Sequence, residues 1–452
     1  WHIRPEVRWH DGAPLTAEDL VFTVQVGRDP ELAVLGHVGF ALLEGVTPSD
    51  ERTAMVRWKQ PYILADTLFS SLFAAPLPRH LLLPIYNEDK ASLPDAPYWS
   101  EDFVSSGPFK LREWARGSHL ELVANEAYAP GRPKLDQIRI TFIPDPNVLV
   151  ASVLSNAVDV TLGRSLSLDQ ALQVRNQWRN GRIEIGFQGR IAIVPQFVNA
   201  VPPVITNVQF RRALLHATDR QAMADVLQDG LSAVADSYLN PNQSEYRQVE
   251  AAIPRYPYDP RLAAQMLESF SYARGPEGGL RDAAGQRLVV ELRTSQGDDL
   301  QEKALFSTAD NWQRAGVGID SVIVPSQRQQ DREYRANHPG FELYRQPDDL
   351  PFLGDLHGSQ APLPENNYAG RNRSRYVNPE FDALLDRYFV TIPRAERIRV
   401  VGQIISHISD QLTIMGLFYN TNPAVRSNRL TNASAVQRAR VTWNAHEWAM
   451  TQ

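Results

Sequence analysis

Apolar residues along the chain fall into two spacings, and these set the first expectations. Steps of three and four place side chains on one stripe of a helix, whereas alternation places them on one face of a strand. Leu20, Val21 and Val24 follow Thr16-Ala17-Glu18-Asp19, where Thr16 reads as an N-cap and the acids suit the positive end of the helix dipole. Ala213, Leu214 and Ala217 form a second stripe. Asp219 then reads as the cap of a helix that buries Met223, Val226 and Leu227 and stops at Gly230. Asp259-Pro260 is a cap followed by proline at the first helical position, where no donor is lost, ahead of Leu262, Ala263, Met266, Leu267 and Phe270. Asn378-Pro379 repeats the device before Phe381, Leu384, Leu385 and Tyr388. The longest stripe is Ile398, Val401, Ile405, Ile408 and Leu412.

Alternation of Ile138, Ile140 and Phe142 predicts a half-buried strand over 137–142, and 288–294 predicts another. Trp1 to Trp9 also reads as a strand, one already in progress where the sequence starts. The segment 275–285 reads as a surface excursion. The longest stretch without periodicity is 347–374, rich in Pro, Gly, Asn and Asp. A loop of that length in a compact protein is usually functional or disordered. Mixed helices and strands without strict alternation predict an α/β or α+β protein.

Composition narrows the picture. A chain of 452 residues is too long for one ordinary core and implies two or three domains. No uninterrupted apolar run is long enough to span a bilayer. The formal net charge of -6 argues against a dedicated binder of nucleic acid or anionic membrane, which needs a cationic surface. The absence of cysteine excludes disulfides, thiolate metal sites and a cysteine nucleophile. Trp1-His2-Ile3-Arg4 carries neither a signal-peptide pattern nor a lipidation site.

Few residues point to chemistry. The ten histidines are scattered, with no H-E-x-x-H, and His10 has no second histidine at ligand spacing. Neither a G-x-S-x-G elbow nor a phosphate-cradling loop is present; Gly316-Val317-Gly318 reads as a turn, and Asp11-Gly12 as another with Gly12 at positive φ. Asp348-Asp349 offers an acid pair of the kind glycoside hydrolysis needs, but adjacent residues point in different directions, so a solvated loop start outweighs it. Arg371, Arg373 and Arg375 read as a solvated cluster rather than a phosphate site.

Five blocks, in order across nearly the whole chain, carry a family resemblance. Arg8-Trp9-His10-Asp11-Gly12-Ala13-Pro14-Leu15-Thr16-Ala17-Glu18-Asp19-Leu20 resembles the signature of family-5 extracellular solute-binding proteins. Ser106-Gly107-Pro108-Phe109-Lys110-Leu111 with Trp114, then Asn125-Glu126-Ala127-Tyr128, is similar to a second block of that family. Arg211-Arg212-Ala213-Leu214 with Asp219-Arg220 resembles its helix pair. Tyr258-Asp259-Pro260 with Ala263, and Tyr376-Val377-Asn378-Pro379-Glu380-Phe381-Asp382, resemble two helix starts.

The resemblance implies a two-lobed α/β periplasmic-binding-protein-like fold of the type II, three-subdomain form, with a hinge and a central cleft. It implies an accessory subdomain of the first lobe at 1–112, the core of that lobe at 113–195 with 424–452, and a second lobe at 196–423. Relatives also carry a segment ahead of the position of Trp1 that completes the first lobe. The implied function is that of the substrate-binding component of an ABC importer, periplasmic or at the cell surface with a lipid anchor. It would be a monomer that closes on a peptide, oligosaccharide or chelate and docks on a membrane permease, with no catalysis, cofactor or resident metal. Rival readings are a secreted carbohydrate-active hydrolase and the sensor domain of a transcription regulator.

Implied ligand contacts come from the loop around Phe341–Phe352 (Tyr344, Arg345, Asp348 and Asp349) and from the two chain crossings (Gln196, Phe197 and Asn199; Tyr419 and Asn422), with Tyr238, after the helix stop at Gly230, as a further candidate. In peptide-binding relatives an acid about four residues ahead of a proline clamps the peptide ammonium. Here that count, from Pro347, lands on Leu343, with Glu342, Asp348 and Asp349 as the acids available to replace it.

Overall fold

Local capping chemistry starts most of the helices, and two separate packing units then bury their apolar stripes. The structure, a computed structural model, describes residues 1–36, 38–71, 73–162, 165–433 and 442–451. One unit comprises Trp1–Gly186 with Pro423–Gln452, the other Phe187–Asn422.

In the first unit, α1 (Ala17–Gly27) follows Thr16, whose backbone N–H donates to the Asp19 carboxylate at 2.8 Å. Leu20, Phe22, Val24 and Val26 are buried, and Val21 is half-buried. Strands β1 (Leu43–Asp50) and β2 (Thr53–Trp58) form an antiparallel hairpin, followed by α2 (Arg79–Glu88). A three-stranded antiparallel sheet then runs in the order β3 (Phe109–Ala115), β4 (His119–Ala124), β5 (Gln137–Thr141). Ile138 and Ile140 are half-buried, as alternation requires, while Phe142 lies just past the strand and is exposed. Helices α3 (Pro146–Leu154) and α4 (Leu168–Gln177) bury Leu149, Val153 and Val174 against Trp178.

The expected strand at Trp1–Trp9 is absent. His2 and Arg8 make isolated bridges to Thr53 and Pro14, and between them Pro5 and Glu6 form a turn in which Val7 N–H donates to the Arg4 carbonyl. Proline has no N–H to give a ladder, so the extended run breaks there.

Strand β6 (Gly181–Pro195) carries the chain into the second unit between Gly186 and Phe187. There follow α5 (Val208–His216), α6 (Arg220–Leu227), α7 (Tyr246–Val249) and α8 (Pro260–Glu268). The excursion at 275–285 is closed by a small pair, β7 (Ala273–Arg274) and β8 (Leu280–Arg281). Next come β9 (Val289–Ser295), α9 (Asp299–Arg314), β10 (Gly318–Val324), α10 (Arg332–Ala336) and β11 (Phe341–Gln346). After α11 (Pro379–Val390) and α12 (Arg394–Gln411), β12 (Met415–Ser427) leaves the unit between Asn422 and Pro423.

These strands make one five-stranded sheet in the order β10-β9-β11-β6-β12, with β9 parallel to β10 and β11, and β6 antiparallel to β11. Alternate residues Ile191 and Ile193, Val290 and Leu292, and Phe341 and Leu343 face one core with Trp312 of α9. Asp219, Asp259 and Asn378 cap their helices by accepting backbone N–H bonds, as their positions predict. Val226 departs from expectation: it is 79% exposed. The buried arc of α6 runs through Arg220, Met223 and Ala224 to half-buried Leu227, at steps of three and four, and Val226 falls outside it.

The aperiodic stretch 347–374 is ordered into short 3₁₀ turns at Leu350–Leu356, Gly358–Gln360 and Pro364–Asn366. Buried Asn372 stitches it together, its Nδ2 donating to the carbonyls of Leu356, His357 and Tyr376 at 3.1, 3.3 and 2.8 Å.

Candidate functional site

Within the second unit, the chemistry concentrates where β6 and β11 run side by side and β11 opens into its loop. Arg190 pairs in register with Gln346. The preceding residue, Gly189, has φ +70°, and a Cβ there would stand 2.4 Å from the Gln346 carbonyl oxygen. This close approach lets Gly189 N–H donate to Asp348 Oδ1 at 3.2 Å. Fully buried Arg190 donates to the Tyr238 carbonyl at 2.5 Å and to Gln346 Oε1 at 2.8 Å, and its guanidinium lies 4.3 Å from the centre of the Tyr238 ring. A buried cation needs such acceptors, and the aromatic face adds an attraction of about 1–2 kcal/mol. Tyr238 Oη donates to the Asp349 carbonyl at 3.4 Å and Gln243 Nε2 to the Asp348 carbonyl at 2.9 Å, tying the loop down.

Three carboxyls crowd this loop. Burial raises the pKa of Asp348, with Arg190 opposing. Burial, then the charge of Asp348, raises that of Asp349. Burial also raises Asp355, against the pull of Arg371, 3.7 Å away. Among the described residues, the Asp349 carboxylate has no hydrogen-bond or ion-pair partner. Beside them, burial pushes the Tyr344 phenol up to about 12, and the Arg373 guanidinium lies 4.3 Å from the centre of its ring. Arg373 Nη1 donates to Glu342 Oε1 at 3.2 Å. Burial would raise Glu342, yet Arg373 and Arg293 hold it below the usual carboxylate range.

Tyr238, Asp348 and Asp349 therefore come together, and Tyr344 shares the electrostatic field of Arg190 and Asp355. Tyr419 lies enclosed nearby, its Oη donating to the Leu239 carbonyl at 2.7 Å, and Asn422 is buried at the last position before the chain leaves the unit. The other residues stand apart. Arg345 donates from Nε and Nη2 to Asp298 at 2.6 and 3.0 Å, and Asp298 caps α9, so this pair anchors a helix. Gln196, Phe197 and Asn199 lie past the end of β6 remote in sequence from Gly186. Gln196 is enclosed, donating to the Ala336 carbonyl and accepting from Arg375 Nε. Phe197 packs on Tyr376 beneath the Arg211 guanidinium. Asn199 is an exposed turn residue with φ 56°.

Two further expectations change. Arg373 and Arg375 do not belong to a solvated cluster: Arg375 is buried and donates to Gln196, Asn337 and Val198. Glu342 is committed to its guanidiniums, and Leu343 points into the core on the opposite face of β11, leaving Asp349 as the unpaired acid. Sequence reasoning missed Arg190, Gln346, Asp355 and the role of Arg373. One signal was present for Arg190: a lone cation after glycine at the head of the apolar run Ile191–Val194.

The model of the bacterial extracellular solute-binding proteins, family 5 (middle region), matches residues 1–355. The oligopeptide-binding protein AppA of Bacillus subtilis is 25% identical over 430 residues, covering 93% of this chain and 75% of that protein. A Brucella ovis protein named as a peptide-binding component of an ABC transporter is 28% identical over 267 residues, and there the match spans about half of the relative, 47% of its length and 58% of this chain. The structure of Bacillus subtilis AppA with a nonapeptide aligns over 100% of this chain and 86% of its own, at TM-score 0.83 and 22% identity. That of Campylobacter jejuni NikZ with Ni(L-His) covers 99% of this chain and 87% of its own, at TM-score 0.82 and 20% identity. Identities this low between structures establish the shared two-lobed α/β fold alone. The chain belongs to the bacterial extracellular solute-binding proteins of family 5.

Proposed function

We propose that the chain captures a small solute bearing a cationic group, with peptides first among the candidates, and delivers it outside the cytoplasm to an ABC permease as a monomer without catalysis. One observation carries this reading: Asp349 is a half-buried carboxylate, raised in pKa and without a partner among the described residues, on a loop that carries two further raised acids. A desolvated acid with no internal counter-charge is a natural seat for a ligand cation. Tyr238 is bonded to the Asp349 carbonyl, and the Arg373 guanidinium stacked on Tyr344 of β11 provides a positive group for the ligand's other end. Tyr419 and Asn422 serve as further contacts in this reading, while Arg345, Gln196, Phe197 and Asn199 support the scaffold. A division of the first unit into an accessory part at 1–112 and a core from 113, and a lipid anchor, belong to the same proposal.

The relatives bind different things: AppA was solved with a nonapeptide and NikZ with a nickel–histidine complex. A thermal-shift screen with free peptides, the same peptides N-acetylated, oligosaccharides and nickel–histidine separates the classes. A ligand at 100 times its Kd stabilises by about 2.7 kcal/mol. We expect free peptides to shift the transition, and both N-acetylation and Asp349→Asn to weaken binding about 10- to 100-fold, the worth of a charge-assisted bond. No shift with any class, or equal shifts for free and acetylated peptides, would refute the assignment.

A further inference from the structure

We propose that the β3–β4 hairpin of the first unit carries a divalent-metal site formed by Glu113, His119 and Glu121. One ligand atom from each of the three lies within 4.8 Å of the others, close enough for a single ion to bridge them. The strand register explains why they meet. Glu113 and Glu121 are direct cross-strand partners, brought opposite by a bulge between Leu111 and Glu113, and His119 sits two residues before Glu121 on β4. Two carboxylates facing each other across a ladder repel, and such pairs destabilise a sheet unless a cation intervenes. Arg139, the partner of Glu121 on β5, approaches it only to 3.9 Å with more than half of its side chain in solvent. Among the described residues this is the one arginine or lysine paired with Glu121, and none is paired with Glu113.

The imidazole is set for coordination. Its Nδ1 is hydrogen-bonded to the Ser118 hydroxyl at 3.0 Å, which leaves Nε2 on the side of Glu121, 3.9 Å from Oε1. That separation is too long for a hydrogen bond and suits two groups reaching toward one ion between them. An outer hydrogen bond on the far nitrogen is the usual means of orienting a metal-bound histidine. The side chains of His119 and Glu121 are largely covered, whereas Glu113 is exposed. One imidazole and two carboxylates suit a borderline ion such as zinc better than calcium or magnesium, which prefer all-oxygen sites. The open positions would hold water.

Zinc chloride titrated calorimetrically into chelator-treated protein tests this. We expect one zinc per chain and a zinc-dependent rise in Tm, with His119→Ala binding about 100-fold more weakly, since loss even of an outer-shell partner costs up to that much. Glu113→Gln, an exposed change that leaves the strand intact, is expected to weaken zinc in the same direction, and Arg139→Gln to strengthen it. Asp349→Asn in the second unit is expected to bind zinc as wild type does, which keeps this outcome separate from that of the ligand screen. No uptake by wild type, or uptake undiminished in the His119→Ala and Glu113→Gln variants, would overturn the site.

Discussion

Gly189 shows how one missing side chain organises several present ones. Its φ of +70° is strained for any residue with a Cβ, and the strand beside it leaves no room for one, since the Gln346 carbonyl oxygen would lie 2.4 Å away. Because β6 and β11 approach so closely here, Gly189 N–H reaches Asp348, and Arg190 reaches Gln346. Gly189→Ala is therefore expected to destabilise by about 3 kcal/mol, the sum of backbone strain and a forced separation of two paired strands. Urea unfolding monitored by tryptophan fluorescence would read it, and a loss under about 1 kcal/mol would mean that the strands part without cost. Asp349 illustrates the opposite case, a side chain present without a partner. Its raised pKa means that ionisation works against folding at neutral pH, so Asp349→Asn is expected to gain stability at pH 7. The gain should vanish below about pH 3.9, where the unfolded carboxyl is itself protonated. A gain in stability coupled to a loss of ligand affinity is the signature expected of a functional acid.

Helices mark the scale at which the sequence was most legible. Asp219, Asp259 and Asn378 act as caps because the capping bond spans only two or three residues and owes nothing to the rest of the fold. Asn378 Oδ1 accepts the Phe381 N–H at 2.9 Å, and Asn378→Ala is expected to lower stability by about 1 kcal/mol, measured as a shift in urea midpoint without a change in slope. Strands were harder to read. Trp1 to Trp9 has the apolar content of a strand, but Pro5 removes the donor a ladder needs. The chain crossing was expected just before Gln196, yet β6 enters the second unit at Phe187 and continues to Pro195, a length decided by pairing with the distant β11 and β12. Consequently Tyr238, Asp348 and Asp349 assemble while Gln196, Phe197 and Asn199 fall at the other end of the strand. Arg373 was misread for a similar reason: within its own neighbourhood it resembles a solvated cluster, and only the far-off Glu342 and Tyr344 draw it inward.

At the scale of the whole molecule, buried ionisable groups pull stability in opposite directions as pH changes, and one of them dominates the mildly acid range. His338 is 3% exposed, and among the described residues neither ring nitrogen has a hydrogen-bond partner. Burial, reinforced by Arg293, drives its imidazole down to about 3, although Glu342 pulls the other way. The unfolded chain binds a proton there near pH 6.5 and the folded chain does not, so stability is full above that value and is lost progressively as pH falls toward 3. Asp348, Asp349 and Asp355 have raised values and act with the reverse sign, their strain easing as pH falls toward about 3.9. Glu342 is depressed, and its contribution is lost only below about 4.3. Comparing wild type with His338→Leu cancels the acids common to both. Since the ring nitrogens make no bonds among the described residues, the variant should sacrifice little at pH 7. One proton contributes about 1.4 kcal/mol per pH unit, so between pH 6.5 and 5 wild type should lose about 2 kcal/mol relative to the variant. Urea unfolding free energies at pH 7, 6 and 5 test it; parallel curves for the two proteins would show that the imidazole takes up its proton within the folded chain.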